Sequence, residues 1–89
     1  MNADQTRKRR ERLARLGNQA AAQTGKKAAT ALKRMARQAG FDVESGGKHV
    51  KVTDPATGRT VTRIPHSPHT RATIESIARA IMQAAGVDQ

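Results

Sequence analysis

The side chains best suited to chemistry stand close together in Gly46-Gly47-Lys48-His49-Val50-Lys51-Val52 and in Thr60-Val61-Thr62-Arg63-Ile64-Pro65-His66. Side chains alternate faces along a strand, so His49 and Lys51 share one side and Val50 and Val52 share the other. Lys48 stands at the strand's opening, where the double glycine lets the backbone swing it toward either face. An imidazole with an ordinary pKa of about 6.5 can take or return a proton near neutral pH. Set beside fixed positive charge, that group suits a phosphodiester. RNA supplies its own nucleophile, the 2′-hydroxyl, so the protein need only move protons and steady a crowded anionic phosphorus centre. No metal or other cofactor is required for that route. In it, His49 moves the proton, Lys51 pairs with the phosphate, and Lys48 or Arg63 shares the developing charge. The plainer alternative is that His49 is an exposed strand residue contacting phosphate or a partner without catalysis.

His66 and His69 flank Ser67-Pro68. With His49 they invite a metal reading, but they lack the helical i, i+4 spacing of a recognised zinc pair. Placed at the start of a final helix, they can instead lie beside backbone donors able to hold a phosphate, or serve simply as loop and cap residues. The sequence holds no Tyr or Trp and one Phe, Phe41, so base stacking is excluded as a major mode of recognition. Contact with nucleic acid is then expected to be dominated by the phosphate backbone. Gly46-Gly47 has neither the spacing nor the following helix of a nucleotide-binding phosphate loop.

The elements that position these groups must come from 89 residues that are 36% hydrophobic, enough for one domain with a modest aliphatic core. There is no cysteine, which excludes disulfides and thiolate metal sites. No signal-peptide pattern opens the chain and no apolar run reaches membrane-spanning length, so a cytoplasmic protein with no membrane partner is expected. The net charge of +10 is uneven. Residues 1–40 carry eleven Lys/Arg against two acids, and residues 41–89 carry six against five. Charge clustered in this way attracts polyanions through counterion release, and nucleic acid is the leading class of partner. A solvated basic tail and an acidic protein partner are the other readings.

Residues 5–16 favour helix but offer only Leu13 and Leu16 for burial before Gly17-Asn18, so this stretch is expected to be a mobile basic arm, helical when bound. The domain boundary is set after it, with a basic extension over 1–23 and the folded domain over 24–89. From Thr24 to Ala39, the apolar residues Ala28, Leu32, Met35, Ala36 and Ala39 recur at helical spacing, and Gly40 supplies a stop. Lys26, Lys27, Lys33, Arg34 and Arg37 fall largely off that stripe. Phe41 to Ser45 alternates as a strand, Gly46-Gly47 turns into the His49 strand, and Asp54-Pro55-Ala56-Thr57-Gly58 turns into a third strand over Thr60 to Ile64. Val61 and Ile64 cannot both face inward under strict alternation, which calls for a bulge near Arg63 or a strand ending there. Ser67-Pro68 or Thr70 can cap a last helix whose stripe is Ile74, Ile77, Ala78, Ile81 and Ala85, ended by Gly86. The resulting fold class is α+β: an αβββα order in which two helices cover one face of a three-stranded antiparallel sheet, with a basic N-terminal arm or extra helix.

In this order the chain resembles the HicA family of toxin–antitoxin RNA endonucleases, small domains similar to the double-stranded-RNA-binding domain. The resemblance runs from about Leu32 to Val87. Three pieces carry it: Ala39-Gly40-Phe41-Asp42-Val43 leaving the first domain helix, Gly47-Lys48-His49, and Thr60-Val61-Thr62-Arg63-Ile64-Pro65-His66 before the last helix. It implies that His49 is the catalytic histidine, that the substrate is messenger RNA, and that an antitoxin of the HicB type binds and silences the enzyme. Lys48 stands where the family usually has a small polar residue, Arg63-Ile64 departs from its apolar strand, and the basic extension precedes the family core. Added to the composition, the expected nucleic-acid contacts are Gly47, Lys48, Lys51, Arg63 and His66 on the sheet side, Lys26, Lys27, Lys33, Arg34 and Arg37 on the first domain helix, and Arg7, Lys8, Arg9 and Arg10 on the arm. A non-catalytic nucleic-acid-binding module using the arm and that helix is the competing expectation.

Overall fold

The computed structural model describes residues 3–87. Its elements are α1 (Ala3–Ala21), α2 (Gly25–Gln38), β1 (Asp42–Gly46), β2 (His49–Thr53), β3 (Thr60–Pro65) and α3 (Arg71–Ala84). The three strands form an antiparallel sheet in the order β1-β2-β3, joined by consecutive hairpins. The chain is therefore α+β, with three helices and an open sheet. Val50, Val52 and Ile64 point to one face and are fully buried beneath α2 and α3, whereas His49, Lys51 and Arg63 point to the other and are exposed.

The helical stripes read from spacing are the buried ones. Ala28, Leu32, Met35, Ala36 and Ala39 are buried on α2, and Ile74, Ile77, Ala78 and Ile81 on α3. Both helices end in the same way. After α2, the Gly40 and Phe41 N–H groups donate to the Arg37 and Ala36 carbonyls, each at 3.0 Å; after α3, Gly86 and Val87 donate to Gln83 and Met82 at 3.1 and 3.2 Å. These paired bonds are Schellman caps, with glycine in the left-handed position and an apolar residue next, Phe41 or Val87, folding back onto the core.

Of the two expectations for the N-terminal segment, arm or extra helix, the structure has the helix. Residues 5–16 are not a mobile arm but part of α1, the longest helix, which packs on α2 and α3 rather than on the sheet. Leu13, Gly17 and Ala20 are buried in that contact. Gly17 does not stop the helix. It lies against α3 and α2, where an added Cβ would meet the Ala78 Cβ and the Met35 Cε, each at 3.4 Å. Small residues at this seam let the backbones approach, so α1 docks without the long apolar stripe that usually announces a packed helix. The layers run from the sheet through the α2/α3 pair to α1.

Two strand details also differ. The first hairpin loop is Gly47-Lys48, one residue later than Gly46-Gly47, because Gly46 still pairs with His49. Gly47 takes φ 63° at the first of the two loop positions, the one that a type II′ turn reserves for glycine. Lys48 accordingly lies in the loop and not in β2. The irregularity in β3 is at Val61, not near Arg63. Val52 pairs with Thr62 but Thr53 pairs with Thr60, so Val61 is the extra residue. Displaced there, Val61 is half-buried against the core, Ile64 is fully buried, and Arg63 stays exposed.

Candidate nucleic-acid interface

The open sheet face is built by cross-strand register. His49 is opposite Pro65 on one side and Gly46 on the other, and Lys51 is opposite Arg63 and Glu44. His49 and Arg63 are thus diagonal neighbours, with backbones about 7–8 Å apart, a gap that one phosphate group can bridge. β3 is an edge strand, and α3 packs against it so that Ala72, Thr73, Ser76 and Ile77 border the same depression as His49, Arg63 and Pro65. The groove holds about 490 Å³, within the range of small-ligand sites. Its polar groups are one imidazole, one guanidinium and two hydroxyls, set around the apolar Pro65, Ala72 and Ile77.

The hydroxyls were not foreseen. Thr73 and Ser76 lie beside the apolar stripe of α3, and helical periodicity does not say which exposed flank borders the sheet edge. Thr73 has a settled orientation. Thr70 caps α3 by accepting from the Thr73 N–H at 3.2 Å, and its own hydroxyl donates to Thr73 Oγ1 at 2.7 Å. With an acceptor site filled, the Thr73 proton remains to donate, the role that a bound phosphate oxygen needs.

His66 turns away from the start of α3 and toward the first hairpin, where its Nε2 lies 3.2 Å from the Gly47 carbonyl oxygen. That oxygen can only accept, so the bond requires the Nε2–H form. His66 thereby ties the β3 exit to the loop that precedes His49, a positioning contact. His69 is exposed in the connection to α3. The three histidines form no metal-ligand cluster among the described residues.

The helical basic residues do not join His49. Lys26, Lys27 and Arg34 line a groove between α1 and α2 with Gln19, Gln23, Thr30 and Ala31. Lys8, Arg9 and Arg12 line the other end of that seam with Gln5 and Gln38. Neither lining shares a residue with the His49 groove. Lys33 is half-buried and Arg37 is exposed, and both lie outside these linings.

The four consecutive basic residues of α1 have four different environments. Arg7 pairs with Asp4 at 3.3 Å on the surface. Lys8 is exposed, and Arg10 lies half-buried with its Nε enclosed and without a partner. Arg9 donates from Nη2 to the Ala39 carbonyl at 2.8 Å and from Nη1 to the Ala85 carbonyl at 3.2 Å. Those are the C-cap residues of α2 and α3, where the helix dipoles end negative. Of the four, Arg9 is thus bonded to the fold and Arg10 lies half-buried on it, whereas Arg7 and Lys8 are exposed.

Among the described residues no helix is long and apolar enough to cross a membrane. Comparison with protein-family models, with curated proteins and with solved structures finds no match to this chain.

Proposed function

We propose that this protein is a metal-independent endoribonuclease of the HicA kind, with a double-stranded-RNA-binding-domain-like fold and His49 as its proton-transfer group. The observation that carries the reading is that His49 shares one groove with Arg63, Thr73 and Ser76 on an otherwise open sheet face. A phosphodiester laid across that groove meets a proton acceptor, a fixed cation and hydroxyl donors together. His49 takes the 2′-hydroxyl proton, the 2′-oxygen bonds to phosphorus, and the bond from phosphorus to the 5′-oxygen breaks. The proton is returned to that departing oxygen. The products are a 2′,3′-cyclic phosphate and a 5′-hydroxyl, with no outside reactant. Arg63 and the hydroxyls hold the phosphorane oxygens, and Lys51, directly across from Arg63, adds charge at the rim. One histidine serving as both base and acid implies slow turnover, which suits an enzyme that needs few cleavages of messenger RNA in the cytoplasm and is held silent by a HicB-like antitoxin seated over the groove.

The test is to incubate wild-type protein and His49→Ala, matched by circular dichroism, with long single-stranded RNA in EDTA. Wild type is expected to fragment it, and His49→Ala to lose at least about a hundredfold in rate. A substrate carrying a single 2′-deoxy nucleotide at the cleaved step stays whole. Intact RNA with both proteins overturns the ribonuclease reading. The second reading, a binding module without catalysis, is favoured by the concentration of charge on α1 and α2, away from His49. In that case RNA is retarded on a gel by both proteins and cut by neither.

A further inference from the structure

We infer that the seam between α1 and α2 is a second nucleic-acid surface, one that holds a strand by its phosphates independently of the His49 groove. Two depressions lie along that seam. One is lined by Lys26, Lys27 and Arg34, the other by Lys8 and Arg12. The linings run from Lys26 to Gln38 on α2 and from Gln5 to Gln19 on α1, so at about 1.5 Å of rise per residue the seam is about 18–21 Å long. Charge complementarity selects the occupant. All five cations are exposed, neither lining contains an acidic residue, and the ion pairs among the described residues, Arg7–Asp4 and Arg71–Glu75, involve none of them.

Such an arrangement works against the fold. Lys26 and Lys27 occupy the first turn of α2, the positive end of its dipole, with no acid in that turn and no side-chain bond from the N-cap Thr24. Among the described residues the Pro68 carbonyl accepts from the Gly25 N–H at 2.6 Å but no carboxylate pairs with Lys26 or Lys27, and a row of phosphates would supply that charge. The neutral lining residues, Gln19, Gln23, Thr30 and Gln38, are hydrogen-bonding groups suited to phosphate and sugar oxygens. No aromatic ring lines either depression, so the contact is to backbone and tolerant of sequence. The His49 groove, in contrast, presents one guanidinium. Holding and chemistry are thus assigned to different surfaces.

The experiment titrates a fluorescein-labelled 20-nucleotide oligouridine with full-length protein by anisotropy over a range of KCl. Every protein carries His49→Ala so that cleavage plays no part. Arg12→Gln/Lys27→Gln/Arg34→Gln is compared with Lys51→Gln/Arg63→Gln; all five positions are exposed, and retained helicity is checked by circular dichroism. The first set is expected to weaken binding at least tenfold at 0.15 M KCl. It should also flatten the log–log salt dependence by about 2, three contacts at about 0.7 each. The second set should change affinity less than threefold. Unchanged binding in the first set, or a larger loss in the second, overturns the inference. Binding of poly-glutamate but not RNA at 0.15 M KCl also overturns it and assigns the seam to an acidic protein. Because binding alone is read, the result is independent of whether the protein cleaves RNA.

Discussion

Arg9 places a single guanidinium against the C-terminal carbonyls of two helices, and this geometry makes it a strong individual contributor to stability. A hydrogen bond from a charged donor contributes about 1.5–3 kcal/mol, and positive charge at a helix C-terminus adds to it. Arg9→Ala should therefore lower unfolding stability by about 2–3 kcal/mol, read as a shift in the urea midpoint at constant slope. Arg9→Lys should recover less than half, because an ammonium cannot present two parallel donors to both carbonyls. A midpoint unchanged in Arg9→Ala would mean that the two bonds are replaced by water at no cost. The fate of Arg9 was not legible in the sequence. Arg7, Lys8, Arg9 and Arg10 are four adjacent cations whose roles differ only through the face of α1 that docks. That face is fixed by partners 30 and 76 positions away. By contrast, His49 and Lys51 on one exposed face follow directly from strand alternation and stand so in the fold.

At the scale of the elements, two glycines carry opposite demands. Gly47 needs its positive φ for the hairpin, so Gly47→Ala should cost about 1–2 kcal/mol. The loss extends to function, because this loop carries the carbonyl that holds His66 and leads directly into His49. In the proposed ribonuclease, the variant should lose more in rate than His66→Ala, and the two rates compared on one RNA check this. Gly17 needs closeness instead. Gly17→Val should cost about 2 kcal/mol by pushing α1 off Ala78 and Met35, while Gly17→Ala, in ordinary contact and a better helix former, should remain within about 0.5 kcal/mol of wild type. Thermal denaturation of the pair decides it: equal losses would place the crossing elsewhere. The same contrast explains which elements sequence revealed. α2, α3 and the strands carry large apolar residues at regular periods and were readable to within a residue or two. The α1 docking surface relies on Leu13, Gly17 and Ala20, with Leu16 half-buried beside them, and two large apolar residues in nineteen do not announce a packed helix. The bulge at Val61 was anticipated from conflicting periods, but its position depends on the register with Val52 and Thr53.

For the whole molecule, α1 completes the core. Without it, Met35 and Ala78 lose their cover, and the burial of Leu13 and Ala20 is forfeited. Apolar burial of that size is about 3 kcal/mol, and each kcal/mol moves the melting temperature of so small a domain by about 4–8 °C. A chain consisting of residues 24–89 should therefore melt more than about 10 °C below the full chain, followed by far-ultraviolet circular dichroism. Equal melting would make α1 a dispensable attachment. The charge asymmetry belongs to this scale as well, since it divides the molecule into a strongly basic helical side and a nearly neutral sheet that bears the histidine. The Arg9 clamp also sets a timetable for biosynthesis. Its two acceptors are made 30 and 76 residues after it, and at about 5–20 residues per second the second appears roughly 4–15 seconds later. Helix α1 is thus made before either of the acceptors that lock it, and its clamp closes only when α3 is complete. Until then Arg9 lacks its second acceptor, and α1 lacks one of the two helices on which it packs.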